Sequence, residues 1–262
     1  MNVLIVGCGW VGTYVASRLL SKGYKLWGTC RTPEKAAKLK EMGLRSYVID
    51  FDRDAAINDL PKTTFDTIII SVPITRKDAI ETVSSRFKRL TLFLKELSFR
   101  QVLYFGSIGI YPKVDGLITE DTFAAEELDE KLWLGESRLR TVCPDINVFR
   151  LGGLFGQERI FAKYFAGKVC EIGFQTANFV HVEDVCRIIS ITMEREVRGA
   201  TYNVVCPEHP LKKDVIAVSA AKYGYGLPSS FTDSDQTAKI VSSNLLVAEL
   251  GYSFVYRSPL QF

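Results

Sequence analysis

Three glycines near the start of the chain have a spacing that suits the binding of a diphosphate. They lie in GCGWVG, residues 7–12, directly after the apolar run of residues 3–6. Gly7 allows a tight turn, Gly9 lets phosphate approach the backbone, and Gly12 lets a following helix pack closely on the strand. Helix N-termini attract phosphate through their amides. This order predicts a dinucleotide site with contacts from Gly7, Gly9, Trp10, Val11 and Gly12. The alternative is a glycine turn that binds nothing.

A cation at the end of the second predicted strand bears on which dinucleotide is bound. NAD sites usually carry Asp or Glu about twenty residues after the glycines, on the ribose 2′-hydroxyl. Here the strand ends in TCRT, residues 29–32. Arg31 can pair with a 2′-phosphate and Thr32 can add a hydroxyl. The sequence therefore predicts NADP(H), with NAD(H) as second choice; the alternative is a solvated arginine at a strand end.

Further cofactor contacts are expected where the third and fourth predicted strands end. Parallel α/β sheets bind ligands outside the carboxyl ends of their strands. Residues after the third strand would lie near the adenine, and those after the fourth would line the ribose and nicotinamide path. The residues are Asp50, Phe51, Ser71, Val72 and Pro73. Each has an alternative as an ordinary strand-end residue, with Asp50 as a turn or cap residue.

Alternating strand and helix patterns must position these residues. The predicted strands are residues 3–6, 25–30, 46–49, 67–72, 101–105, 147–151 and 202–205. The predicted helices are residues 11–20, 33–42, 82–97, 182–193, 212–223 and 243–250. This order predicts an α/β fold with a Rossmann doubly wound parallel sheet. We expect a dinucleotide-binding core over residues 1–150. Residues 151–262 are expected to return to the core and to form a small α/β substrate-binding subdomain over the carboxyl edge of the sheet.

The composition is that of an ordinary globular chain and excludes several classes of function. Hydrophobic residues make up 47% of the 262 residues, and the net charge of +3 is too small to indicate a nucleic-acid partner. No stretch approaches the roughly 18 apolar residues of a membrane span, and we expect no signal peptide. The six scattered cysteines contain no CxxC. They favour a cytoplasmic protein without a disulfide framework or metal site.

Several motifs follow one another in an order and spacing that are specific as a set. They are GCGWVG (7–12), YFGSIGIYP (104–112), TED (119–121), FRLGGLFG (149–156), NFVHVEDV (178–185), TYNV (201–204) and KIVSSNLLVAELGY (239–252). With them the chain resembles the extended short-chain dehydrogenase/reductase superfamily, in its nucleoside-diphosphate-sugar epimerase and dehydratase branch. It is most similar to short bacterial proteins grouped as atypical, epimerase-like members.

The resemblance implies a chemistry that this chain supports only in part. The family uses a Tyr as acid/base, a Lys four residues later, and a Ser or Thr that orients the substrate. Ser107 takes the place of that Ser and is also expected to contact the cofactor. The Tyr-x-x-x-Lys pair is absent, because the corresponding region reads EKLWLGESR, residues 130–138, and no tyrosine occurs between Tyr111 and Tyr164. This departure counts against the usual oxidoreductase mechanism.

Two side chains are candidates to replace the missing acid/base. Tyr111 falls where the family lines its substrate pocket, and His181 has a free pKa that suits proton transfer. The alternatives are a packed aromatic for Tyr111 and a hydrogen-bonded structural histidine for His181. The resemblance also implies that Gly153 and Leu154 pass beneath the nicotinamide.

Three functions stay open from the sequence. The leading one is an NADP(H)-dependent oxidoreductase or epimerase on a small or nucleotide-linked substrate. Lys163, Lys168 and Lys239 are candidate contacts for a substrate phosphate, and the alternative for each is a simply exposed lysine. The second is a non-catalytic NADP(H) redox sensor or scaffold, which the missing Tyr/Lys pair favours. The third is a nucleotide-sugar-binding protein without redox chemistry. Ser107 and the C-terminal subdomain favour an enzyme, and analogy with the family implies a homodimer.

Overall fold

The computed structural model describes residues 1–53, 63–232 and 235–261. In this part of the chain the strands are β1 (Asn2–Val6), β2 (Lys25–Cys30), β3 (Arg45–Val48), β4 (Thr64–Ile70), β5 (Ser98–Ser107), β6 (Gly116–Ile118), β7 (Asn147–Leu151), β8 (Gly153–Phe155), β9 (Val169–Cys170), β10 (Phe179–His181), β11 (Thr201–Val204), β12 (Ser230–Phe231) and β13 (Lys239–Val241). The α-helices are α1 (Trp10–Ser21), α2 (Pro33–Glu41), α3 (Ile80–Lys95), α4 (Glu130–Val142), α5 (Val182–Glu194), α6 (Lys212–Tyr223) and α7 (Asn244–Leu250).

A seven-stranded sheet confirms the predicted Rossmann architecture. Its strand order is β11-β7-β5-β4-β1-β2-β3. Strand β1 pairs in parallel with β2 and β4, β2 pairs in parallel with β3, and β4 with β5. The chain crosses from one side of the sheet to the other between β3 and β4, so β1 and β4 form the switch point where such sheets bind ligands. Three further pairs of short strands, β8 with β10, β9 with β12, and β6 with β13, are also parallel.

Burial explains why the central strands read as continuous apolar runs. Residues 3–6 of β1 and 68–70 of β4 are fully buried. A strand covered on both faces needs apolar side chains at every position, not at alternate ones. Helix α3 buries one stripe, which includes Val83, Phe87 and Leu90, in the same core.

Two compact units make up the described chain. The first unit comprises Met1–Ile110, Leu128–Phe149 and Ile189–Thr201, and the second comprises Tyr111–Glu127, Arg150–Ile188 and Tyr202–Phe262. Both units therefore take segments from either side of residue 150. The division into residues 1–150 and 151–262 stays a prediction.

Helix α4 is the long element that the hydrophobic pattern does not show. Its N-cap is Asp129, whose side chain accepts a hydrogen bond from the Leu132 amide at 3.0 Å. Gly135 lies in the middle of the helix, where glycine lowers helix propensity. A Cβ there would lie 2.7 Å from Cδ1 of Ile74 and 3.1 Å from the ring of Phe87, so the glycine serves close packing. None of the helices in the described residues is long and apolar enough to cross a membrane.

Candidate functional site

The glycine turn between β1 and α1 has two packed positions and one open position. Gly7 has a φ of +91°, and a Cβ there would lie 2.9 Å from the carbonyl oxygen of Ser71. A Cβ at Gly12 would lie 2.7 Å from the carbonyl oxygen of Gly7. At Gly9, by contrast, a Cβ would meet nothing within 4 Å. Gly7 and Gly12 therefore serve the protein's own packing, whereas Gly9 leaves room for a ligand, so the turn fits a dinucleotide.

Strand β2 holds this turn through Thr29, a buried residue that the motif does not include. The Gly7 amide donates to Thr29 Oγ1 at 3.0 Å, and the Cys8 amide donates to the Thr29 carbonyl oxygen at 2.7 Å. Both amides are thus used within the protein. The predicted phosphate contact rests on the first turn of α1, which begins at Trp10 and has no side-chain cap from Gly9.

Two cations follow β2 in the chain, Arg31 directly after the strand and Lys35 in the first turn of α2. Arg31 and Thr32 are both exposed, and Thr32 is the N-cap of α2 through a hydrogen bond from the Lys35 amide to Thr32 Oγ1 at 3.3 Å. Burial raises the pKa of the Cys8 thiol to about 12 and also raises the pKa of Cys30. The positive charge of Lys35 opposes both rises. Lys35 is a candidate 2′-phosphate contact that the sequence analysis missed.

The segment after β3 lies against α3. Asp50 Oδ1 accepts a hydrogen bond from the Asp52 amide at 3.1 Å, which is the turn contact that the alternative interpretation describes. Phe51 is buried, and its ring centroid lies 5.4 Å from that of Phe93 in an edge-to-face contact. The predicted adenine contacts of Asp50 and Phe51 stay predictions.

The segment after β4 lies beside the glycine turn. The Ser71 carbonyl borders Gly7, Val72 is buried, and Pro73 is exposed. The carbonyl oxygen of Pro73 accepts a hydrogen bond from Arg86 at 2.9 Å. The first unit therefore brings together the glycine turn and the ends of β2 and β4, as a site at this sheet edge requires.

Ser107 ends β5 and is half-buried, and its surroundings differ from the family pattern. Ser107 Oγ accepts a hydrogen bond from the Gly109 amide at 3.0 Å. A Cβ on Gly109 would lie 3.2 Å from Ser107 Oγ and 3.6 Å from Cδ1 of Leu132. Lys131, the residue before Leu132 in α4, donates a hydrogen bond to the carbonyl oxygen of Asp78 at 3.1 Å. Helix α4 thus presents an apolar side chain beside the Ser107 turn and uses this lysine to hold a loop.

Tyr111 belongs to the second unit and is only 3% exposed. Its hydroxyl donates to Asn203 Oδ1 at 2.7 Å and accepts from Arg150 Nη1 at 2.8 Å. Burial raises the pKa of the phenol, although Arg150 opposes the rise. These contacts favour a packed, hydrogen-bonded tyrosine over a proton donor.

Lys239 lies over the same ring. Its Nζ donates to the Tyr111 carbonyl oxygen at 3.0 Å and lies 5.6 Å from the ring centroid. Burial, followed by the charges of Lys212 and Lys113, lowers the pKa of Lys239 to about 8. Glu120 Oε1 accepts from the Asn203 amide at 2.6 Å. The second unit therefore contains a polar cluster of Tyr111, Arg150, Asn203, Glu120 and Lys239.

His181 lies among aromatic rings in the second unit. Its imidazole stacks on Tyr256 at 3.6 Å between centroids and meets the edge of Phe155 at 5.1 Å. Nδ1 accepts from the Glu183 amide at 3.1 Å, and a Cβ at Gly156 would lie 2.1 Å from Nε2. Burial lowers the pKa of His181 to about 4, against the opposing charge of Glu183. The contacts favour the structural interpretation.

Gly153 and Leu154 lie in β8. The Gly153 amide donates to the carbonyl oxygen of Asn178 at 2.8 Å, and a Cβ on Gly153 would lie 2.4 Å from Cδ1 of Phe179. Packing against Phe179 therefore explains the glycine by itself. Leu154 is half-buried. The nicotinamide contact of these two residues stays a prediction.

The sheet and its turns are similar to those of short-chain dehydrogenase/reductase proteins. Solved structures that match nearly the whole chain include a short-chain dehydrogenase/reductase superfamily protein of Agrobacterium tumefaciens with bound NAD, which covers 98% of this chain with a TM-score of 0.75, so the resemblance is confirmed at the level of the fold. The family model "Ketopantoate reductase PanE/ApbA" matches residues 3–93, which run from β1 to α3.

Three particular proteins show the extent of the similarity. Protein YeeZ of Escherichia coli K12 is 26% identical over 99% of this chain and 97% of its own length. The UDP-glucuronic acid 4-epimerase of Bacillus cereus in complex with NAD is 16% identical, covers 99% of this chain and 95% of its own, and has a TM-score of 0.74. The human epimerase family protein SDR39U1 with NADPH is 16% identical over 99% and 96%, with a TM-score of 0.73.

Proposed function

We propose that this chain is an NADP(H)-binding oxidoreductase or epimerase of the extended short-chain dehydrogenase/reductase type, acting on a small or nucleotide-linked substrate. The observation that carries the proposal is the open position of Gly9 between the packed glycines Gly7 and Gly12. The complexes of the Bacillus cereus epimerase with NAD and of the human protein with NADPH support a nicotinamide dinucleotide.

Each group of residues has a distinct part in this function. The first turn of α1 binds the diphosphate, and Arg31 with Lys35 pairs with the 2′-phosphate. When bound, the nicotinamide supplies hydride transfer. Ser107 orients the substrate. Tyr111 and His181 are the candidate proton-transfer groups of this proposal, while the contacts described above favour a structural role for both.

A second candidate function is a non-catalytic NADP(H) sensor or scaffold. Leu132 favours this function, because its side chain lies beside Gly109 in the turn that follows Ser107 and cannot donate a proton. Turnover separates the two functions. An enzyme should convert a nucleotide-linked substrate in the presence of NADP(H), and Ser107→Ala should lower kcat. A sensor should bind NADPH and yield no product by mass spectrometry.

Affinity measurements on a glycine variant test the diphosphate site. Calorimetry with NADPH and NADH should show binding to the wild type. In Gly9→Ala the added methyl group meets no protein atom within 4 Å, so the thermal midpoint should stay unchanged. The methyl group should nevertheless weaken NADPH binding by about tenfold or more, since it blocks close approach of phosphate. Gly226→Ala, at an exposed glycine of the second unit, is the matched control and should change neither value. Wild-type protein that binds neither coenzyme would overturn the proposal.

Charge reversal tests the choice of NADP(H). Arg31→Asp should reduce the preference for NADPH over NADH by about 10- to 100-fold, because a charge-assisted hydrogen bond is worth about 1.5–3 kcal/mol. Lys40→Asp, an exposed charge reversal in the last turn of the following helix α2, should leave the preference unchanged. An unaltered preference in Arg31→Asp would contradict the assignment of NADP(H).

A further inference from the structure

A single buried guanidinium holds the segments that follow β3 and β4. Arg86 in α3 is 7% exposed. Its Nε and Nη2 donate to Asp52 Oδ1 at 2.7 Å and Oδ2 at 3.1 Å. Its Nη1 donates to the Pro73 carbonyl oxygen at 2.9 Å, and Nη1 and Nη2 each reach an Asp78 carboxylate oxygen at 3.2 Å. The donors of one side chain thus bind two segments that are distant in sequence.

The two segments differ in how else they are held. On the β3 side, Arg89 Nη1 donates to the Phe51 carbonyl oxygen at 3.3 Å, and Phe51 packs on Phe93. Helix α3 therefore has other contacts with this segment. On the β4 side, the Thr75 amide donates to Asp78 Oδ2 at 2.6 Å, and Lys131 Nζ donates to the carbonyl oxygens of Arg76 and Asp78 at 3.2 and 3.1 Å. These contacts hold the loop at residues 75–78, whereas Arg86 holds the Pro73 carbonyl. Loss of Arg86 should therefore release the backbone around Pro73 more than the β3 side.

The charges in this arrangement stabilise one another. The hydrogen bond from Arg86 lowers the pKa of Asp78 to about 2, although burial opposes the shift. Burial acts to lower the pKa of Arg86, but its hydrogen bonds to Asp52 and Asp78 outweigh that effect and raise it. Arg86 and Asp78 therefore stay ionised near neutral pH. Removing one partner of such a network leaves a charge without compensation, which is costly.

We infer that Arg86 is a positioning residue of the dinucleotide site, which couples the adenine-side segment of Asp50 and Phe51 to the nicotinamide-side segment of residues 71–73. The inference rests on the proposed function. The first segment is predicted to contact the adenine and the second the nicotinamide ribose, so a ligand that spans both gains from having them prearranged. A ligand that contacts only the adenine side gains little.

Comparison of a whole coenzyme with half of one tests this coupling. The ligands are NADPH and adenosine 2′,5′-bisphosphate, and the variant is Arg86→Lys, which keeps a charge but loses the fork of donors. We expect NADPH affinity to fall about tenfold and bisphosphate affinity to fall less than about threefold. Amide hydrogen exchange without ligand should quicken in residues 71–78. Arg89→Lys, on the same helix, is the matched control and should leave exchange in residues 71–78 unchanged.

A milder variant keeps the test valid if Arg86→Lys does not fold. Asp78→Asn weakens the contact with the β4 side and leaves Asp52 paired, and it should give the same pattern of affinities and exchange. Equal losses for NADPH and the bisphosphate, or wild-type exchange in residues 71–78, would overturn the inference. Wild-type protein that binds no nicotinamide coenzyme would instead overturn the proposed function and with it the role in the site. Amide hydrogen exchange would then test only whether Arg86 holds residues 71–78.

Discussion

At the scale of single residues, burial sets the charge state of His181. The imidazole is 5% exposed, and its pKa of about 4 keeps it neutral at pH 7. A neutral imidazole whose Nδ1 accepts from the Glu183 amide is held in one tautomer, with the proton on Nε2. Protonation would place a charge on a buried ring and would remove the hydrogen bond from the Glu183 amide. Protonation of His181 should therefore be linked to the stability of the fold.

The stability of the protein should depend on pH through this histidine. The folded pKa of His181 is about 4 and its ordinary value is 6.5, so its contribution is complete above pH 6.5 and is lost as the pH falls towards 4. Urea unfolding between pH 7 and 4 should show a steeper loss for the wild type than for His181→Phe, by up to about 1.4 kcal/mol per pH unit. His209 is present in both proteins and cancels. Identical slopes would contradict the lowered pKa.

A second titration should appear at lower pH. Asp78 has a folded pKa of about 2 against an ordinary 3.8, with its hydrogen bond to Arg86 as the main cause. Its stabilising contribution is present above pH 3.8 and is lost as the pH falls towards 2. Thermal midpoints measured from pH 4 to pH 2 should fall more steeply in the wild type than in Asp78→Asn. Parallel curves would show that the ion pair with Arg86 does not persist in solution.

Some residues of the candidate site could be read from the sequence and others could not. The glycine turn and Arg31 follow from a local motif, because their roles depend on neighbours within a few positions. Thr29, Lys35 and Arg86 act on segments that only the folded chain brings near them. The sequence around Leu132 does not indicate its importance either, because that importance depends on its position beside the Ser107 turn in the folded chain.

At the scale of elements, close packing of α1 on β1 depends on Gly12. A Cβ there would lie 2.7 Å from the Gly7 carbonyl oxygen and 3.3 Å from Cγ2 of Ile5. Alanine improves helix propensity by about 1 kcal/mol, but a contact on backbone cannot relax by rotation of a side chain. Gly12→Ala should therefore destabilise the protein by about 1–3 kcal/mol in urea unfolding, whereas Gly9→Ala should not. Equal stabilities of the two variants would contradict this geometry.

The central strands and most helices were predictable from the sequence, whereas helix α4 and the short strands β6, β8, β9, β10, β12 and β13 were not. Helices such as α3 and α6 carry a clear pattern or clear boundaries, and the buried strands β1 and β4 are strongly apolar. Helix α4 lacks these signals because Gly135 interrupts it. Strands β9 and β12 have two residues each, which is too short for any periodicity.

At the scale of the whole molecule, long-range hydrogen bonds hold the C-terminal segment of the second unit. Asp184 is fully buried in α5 and accepts from the Val255 amide at 2.8 Å, the Tyr256 amide at 3.1 Å and the Tyr252 hydroxyl. Burial raises its pKa, and these donors oppose the rise. One carboxylate thus fixes backbone about seventy residues further along the chain.

Loss of this carboxylate should be costly. Asp184→Ala leaves two part-buried amides and a buried hydroxyl without their partner, at up to about 1–3 kcal/mol each before relaxation and water entry. We expect a total loss of about 2–4 kcal/mol in urea unfolding. Asp214→Ala, at an exposed position in the first turn of α6, is the control and should cost less than about 1 kcal/mol. Equal effects of the two substitutions would show that the C-terminal segment is held by other contacts.

The strand order of the central sheet also bears on how the protein forms during translation. Strands β1 to β5 are neighbours in the sheet and are all encoded by residues 2–107. Once these residues have left the ribosome, all five strands of this continuous part of the sheet are therefore available to pair. Strands β7 and β11 then join in turn at the side of β5. Synthesis and assembly can proceed in the same direction, and no later strand has to be inserted between two that are already paired.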